Sequence, residues 1–80
     1  MTVLGNPVEG EFVEIEIRGA ARQSVSAELV DQQGRTVCRQ RIDEASTLER
    51  MSLPVGYSRG VLLLSVQGAY ERQQVKVIMK

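Results

Sequence analysis

Eighty residues, 42% hydrophobic and 25% charged with ten basic side chains against ten acidic, describe one small globular domain and exclude a chain disordered by composition. A chain of this length buries only roughly 60–65% of the surface its unfolded form exposes, so the core is thin and leaves little room for a deep, water-free ligand cavity. Balanced charge and only three aromatics (Phe12, Tyr57 and Tyr70) argue against nucleic-acid binding, which draws on a basic face and stacking surfaces.

Taken in chain order, the hydrophobic residues recur with period two between turn residues. Val3-Leu4 form a short first strand, broken by Gly5-Asn6-Pro7. Val13, Ile15 and Ile17 alternate with Glu14 and Glu16, which predicts a strand with one face in water and an end at Gly19. Val25, Ala27 and Leu29 repeat the pattern. Asp31-Gln32-Gln33-Gly34 then has hairpin chemistry, because Asp bonds nearby amides and Gly supplies a positive φ. Arg35–Ile42 returns antiparallel, and Val37 and Ile42 cannot both face inward there without a bulge or strong twist.

Asp43–Ser46 reads as a polar turn and Thr47–Leu53 as a weak strand, with Leu48, Met51 and Leu53 as core candidates. Ser46 and Glu49 imitate a helical capping box, but ten residues stopped by Pro54 would make a marginal helix. Pro54–Gly60 is a loop. Val61–Val66 is the most hydrophobic run, a central strand with Leu62, Leu64 and Val66 on one face. Gln67-Gly68 turns the chain, and Ala69–Met79 closes it with Val75, Val77 and Met79 alternating against Lys76 and Ile78. About seven short strands at this spacing predict an all-β, immunoglobulin-like antiparallel β-sandwich, with a small barrel as the alternative.

The chemistry is sparse. With no histidine, Ser–His, Cys–His and histidine-metal arrangements are ruled out, and one cysteine allows neither an internal disulfide nor a four-ligand metal site. Cys38 is read as a small core residue. Glu14 and Glu16 are explained as the solvated side of a strand, and no phosphate-binding glycine loop occurs. Neither catalysis nor a cofactor is expected. No run reaches the roughly 18 apolar residues of a membrane span, so no membrane insertion is expected, and Met1–Val8 lacks the basic start and apolar stretch of a signal peptide.

Three features in order carry a family resemblance: Asn6-Pro7 near the start, Leu29-Val30-Asp31-Gln32-Gln33-Gly34-Arg35-Thr36-Val37 in the middle, and Leu53-Pro54 followed by Gly60–Val66 and a last strand ending Lys76-Val77-Ile78-Met79-Lys80. The series resembles the type A C-terminal sorting domain of the type IX secretion system of Bacteroidetes, and the resemblance covers essentially the whole chain. Family members read N-P, then L-Y-D-x-x-G-R-x-V, then L-P-x-G-x-Y-x-V-x-V, then a lysine-bearing strand. Here the L-P-x-G link is stretched by Gly56–Arg59, and Leu62 and Val30 stand where tyrosines are usual.

The resemblance implies structural roles for Asn6, Pro7, Asp31, Gly34, Arg35, Leu53, Pro54 and Gly60, and a recognition role for the final strand, Val75, Lys76, Val77, Ile78, Met79 and Lys80. It implies a domain at the end of a larger secreted or surface protein that travels through the periplasm to the outer membrane. Its partners would be the type IX translocon and the sortase and attachment proteins of the cell surface, with cleavage or retention both open. An uncovered edge strand would also support a homodimer. The alternative is a permanently retained immunoglobulin-like adhesion module with no sorting role.

Overall fold

The computed structural model describes residues 1–5, 10–19, 22–69 and 71–80. Seven strands run in the order β1 (Thr2–Leu4), β2 (Phe12–Arg18), β3 (Val25–Val30), β4 (Thr36–Ile42), β5 (Leu48–Pro54), β6 (Gly60–Gln67) and β7 (Arg72–Met79). They make two antiparallel sheets, β1-β2-β5 and β4-β3-β6-β7, stacked as a sandwich rather than closed as a barrel. The fourth strand hydrogen-bonds to the third, whereas in a constant-type immunoglobulin domain it lies on the opposite sheet.

Alternation sets which side of each strand is dry. Val13, Ile15 and Ile17 of β2 face Val25, Ala27 and Leu29 of β3 and Leu62, Leu64 and Val66 of β6 in one buried cluster. The partnering is direct: Leu29 lies opposite Leu64, and Leu64 lies opposite Val75. Since cross-strand partners share a face, the registers pair apolar with apolar in the middle of the interior, while Glu49, Gln40 and Gln73 stand opposite Ile17, Ala27 and Val66 at its margin. Among the described residues, all buried side chains are apolar, so this interior holds no desolvated acid or base.

The predicted conflict between Val37 and Ile42 is resolved by a bulge. Leu29 pairs with Cys38 but Val30 pairs with Thr36, leaving Val37 as the extra residue. Val37, Cys38 and Ile42 all then pack, partly buried, against the core. Gln40 takes an inward position on this edge strand, and its side-chain amide reaches the Ser52 carbonyl of β5 at 3.0 Å, tying the two sheets together along one side.

One core assignment needs correction. Leu48 is not a core residue but is 45% exposed, because Met51 and Leu53 fix the inward parity of β5 and Leu48 falls on the other side. Past the imitation capping box the chain enters strand β5 at Leu48, as the sequence predicts, yet Glu49 Oε1 does accept the Ser46 N–H at 3.0 Å. Half of the capping contact therefore forms as a turn leading into β5, without a helix. The sequence reading also missed two core residues in segments assigned to turns, Ala45 and Val55. Ala45 is held by paired backbone bonds, its N–H to the Gln23 carbonyl and its carbonyl from the Arg22 N–H, and Val55 by its N–H to the Glu11 carbonyl.

Candidate recognition surface

The hairpin between β3 and β4 is the most fully wired turn, and its residues explain it. The Gly34 N–H donates to the Asp31 carbonyl, the Asp31 N–H donates to the Arg35 carbonyl, and Gly34 sits at φ 83°, which only glycine adopts without strain. This is a type I turn followed by a left-handed glycine. Asp31 Oδ1 accepts the Gln33 and Arg35 N–H groups, both at 2.9 Å, while Oδ2 accepts Arg35 Nε at 2.9 Å. The D-x-x-G-R string is thus one hydrogen-bonded unit in which the aspartate organises the loop and the arginine closes over it.

The backbone bond from Arg35 leads the causes that hold the Asp31 carboxyl below its ordinary value of 3.8. A depressed carboxyl contributes stability above its unfolded pKa and loses it as pH falls through the folded one. At neutral pH the wild type is expected to melt above Asp31→Asn, and the gap should close as the pH drops below 3.8. Thermal melts followed by circular dichroism at several pH values check this. A gap that stays constant into acid would mean that the turn relies on shape and not on the charge.

The other motif residues gather at the same end of the sandwich. Gly60 begins β6 opposite Met79 near the end of β7, and Pro54 ends β5 opposite Phe12. Leu53 lies just inside and is fully buried. A shallow polar groove lined by Asp31, Arg35, Ser58, Arg59 and Val61 joins the hairpin to the β5–β6 loop. In that loop the Ser58 N–H donates to the Val55 carbonyl, and the Arg59 guanidinium caps the Gly56 and Ser58 carbonyls. The stretch Gly56–Arg59 is therefore a closed turn, with Tyr57 91% exposed at its tip. Asn6 and Pro7 lie outside the described residues.

The final strand stands last in its sheet. Among the described residues β7 pairs with β6. Pro54 on the edge strand β5 removes a backbone donor there, whereas no proline interrupts β7. The six predicted recognition residues divide by parity. Val77 and Met79 are buried and Val75 half-buried, while Lys76, Ile78 and Lys80 are exposed. Cys38, on the opposite edge strand, is half-buried, and loss of hydration pushes its thiol upward, so it stays protonated at neutral pH. Among the described residues no cluster of three metal-ligating side chains occurs, and no helix is long and apolar enough to cross a membrane.

A two-sheet sandwich with its last strand on an edge, and with the D-x-x-G-R hairpin and Gly60 at one pole, is the arrangement on which the family comparison bears. The model of the secretion system C-terminal sorting domain matches residues 2–80. The chain belongs to this family. Neither the curated proteins nor the solved structures gave a match. A sorting domain of type IX secretion is a C-terminal signal that acts on the secretion machinery and directs export to the cell surface or beyond it; the family is not one of enzymes.

Proposed function

We propose that this domain is the terminal module of a longer secreted precursor, and that the outer-membrane translocon grips it through β7. The observation that carries this reading is the position of β7 last in its sheet among the described residues, with Val77 and Met79 buried and Lys76, Ile78 and Lys80 exposed. Lys76, Ile78 and Lys80 provide exposed side chains that a partner can distinguish. The inward residues Val75, Val77 and Met79 serve recognition indirectly by holding the strand straight on the sheet. Asp31, Gly34, Arg35, Pro54 and Gly60 shape the pole where β7 ends. The same grip serves a domain that a cell-surface sortase later removes and one that the attachment machinery retains.

Grafting residues 1–80 onto the end of a periplasmic reporter tests the proposal. In cells with a working type IX system the reporter should reach the surface or medium, and in cells lacking the translocon it should stay in the periplasm. Periplasmic retention in both strains would sink the sorting reading and favour a retained adhesion module.

A further inference from the structure

The chain carries no net charge, but its two sheet faces are not alike. The outward positions of β1, β2 and β5 hold Glu14 and Glu16 against Arg18 and Arg50, with Glu16 pairing both arginines. Those charges cancel. On the other sheet the outward positions follow from the registers as cross-strand rows. One row runs Arg41, Ser26, Gln67, Arg72, and the next begins Arg39, Glu28. A third runs Thr36, Val30, Leu63, Lys76. Four cations thus face outward from these strands against Glu28, which Arg39 engages, and Asp43 just past β4, which Arg41 engages, so positive charge remains in excess among these residues. They stand on the two edge strands, β4 and β7, about 14 Å apart across three strand spacings.

Between and beyond the cations lies an apolar end. Leu63 is 38% exposed and Ile78 47% exposed, Val61 lies opposite Ile78, and Val30 lies opposite Leu63. An apolar patch bordered by charged and hydroxyl-bearing side chains is the anatomy of a protein–protein contact. Nucleic acid fits poorly, because none of these outward positions carries an aromatic side chain on which a base could stack. A bilayer fits poorly too, since Ser26, Ser65, Gln67 and Gln74 interrupt the apolar surface with groups that need directional partners.

We infer that the outward face of the four-stranded sheet is a docking surface for an acidic protein surface with an apolar patch to one side, approached across both cation-bearing edges. This deepens and rests on the sorting reading. The docking surface reaches across the sheet to Arg39 and Arg41, well before the final strand in sequence, and so is wider than the β7 edge. A face only about 14 Å across belongs to the small, transient class of interfaces, where charge chiefly sets the encounter rate and the choice of partner. That suits a signal that must be bound and then released.

The test uses the 80-residue domain fused to the reporter, as wild type, as Arg72→Gln/Lys76→Gln, and as Arg18→Gln/Arg50→Gln. Both double variants remove two positive charges, but from opposite faces. Binding is measured to outer-membrane vesicles from translocon-containing cells, from translocon-lacking cells, and to vesicles of pure anionic phospholipid. The proposal expects wild type to bind only the first, with affinity that weakens as salt rises. Arg72→Gln/Lys76→Gln should bind about tenfold more weakly and export more slowly, the order of effect that loss of steering charges produces. Arg18→Gln/Arg50→Gln should match wild type, and Arg72→Lys/Lys76→Arg should recover most of the binding.

Equal losses from both faces, or no loss from either, would overturn the docking face while leaving sorting intact. Equal binding of wild type to anionic lipid would replace the acidic protein with a membrane surface and overturn it as well. A wild-type fusion that is not exported at all would fail the sorting reading itself, and this inference with it. Melting temperatures of all four proteins identify any variant whose loss comes from folding, and the charge-keeping exchange then decides alone.

Discussion

Deletion of Val77–Lys80 is expected to unfold the domain as well as to abolish delivery, so the obvious truncation cannot by itself locate a recognition signal. Val77 is fully buried and Met79 is 3% exposed, and they pair with Leu62 and Gly60. Removing two buried side chains of this size forfeits roughly 1.5–3 kcal/mol each. The lost ladder bonds and the apolar surface newly exposed on β6 add to that. A domain of this length has on the order of 4–12 kcal/mol of total stability, so the deletion takes a large share of it. The purified truncated protein should show a melting transition that is lost or displaced far downward in circular dichroism. A truncated domain that melts with the wild-type midpoint would show the end of β7 to be dispensable for folding.

The contrast to run beside it is Lys76→Ser/Ile78→Ser/Lys80→Ser, which strips the outward side chains and leaves the buried ones. Surface exchanges of this kind usually change stability by only a few tenths of a kcal/mol each, with more lost at the half-exposed Ile78. Failure of this folded variant to be delivered would implicate the side chains themselves.

The sandwich was legible because period-two patterning is a direct image of a face being buried. β2 and β3 alternate in sequence and β6 in burial, and their buried residues are the predicted ones. The bulge at Val37 could also be anticipated, since parity cannot hold from Val37 to Ile42 without one. Leu48 was misassigned because β5 starts after a turn that sets no phase, and only Met51 and Leu53 define the inward side. Ala45 and Val55 escaped for a different reason. Their burial comes from backbone bonds to Gln23, Arg22 and Glu11, distant partners that no local pattern announces.

The surface was less legible than the core. Net charge is a sum over the whole chain, and a sum of zero hides segregation. The cations Arg39, Arg41, Arg72 and Lys76 come from two stretches that the sheet order brings to opposite edges of one face. Likewise, the Asp31–Arg35 hairpin and Gly60 lie in separate motifs along the chain and share a pole only because β3 and β6 are neighbours. Motif spacing gives order along the sequence, and topology alone turns that order into adjacency.

Leu64→Ala is expected to be among the most damaging single substitutions, and its neighbour Leu63→Ala among the milder ones. Leu64 is fully buried in a central strand, facing Leu29 on one side and Val75 on the other, so the truncation opens a cavity that both neighbouring strands would have to move to fill. Leucine-to-alanine changes at such sites cost about 3–4 kcal/mol, set by lost transfer energy and the residual void. Leu63 projects from the other face and is 38% exposed, so its truncation should cost under about 1 kcal/mol. Urea denaturation of the two variants should displace the midpoint strongly for one and weakly for the other, with similar slopes. Reversed or equal effects would mean that β6 is paired one residue out of register, since a single-residue slip exchanges every inward side chain for an outward one. The comparison therefore reads register as well as stability, and register fixes which side of the sheet presents Lys76 and Arg72 to a partner.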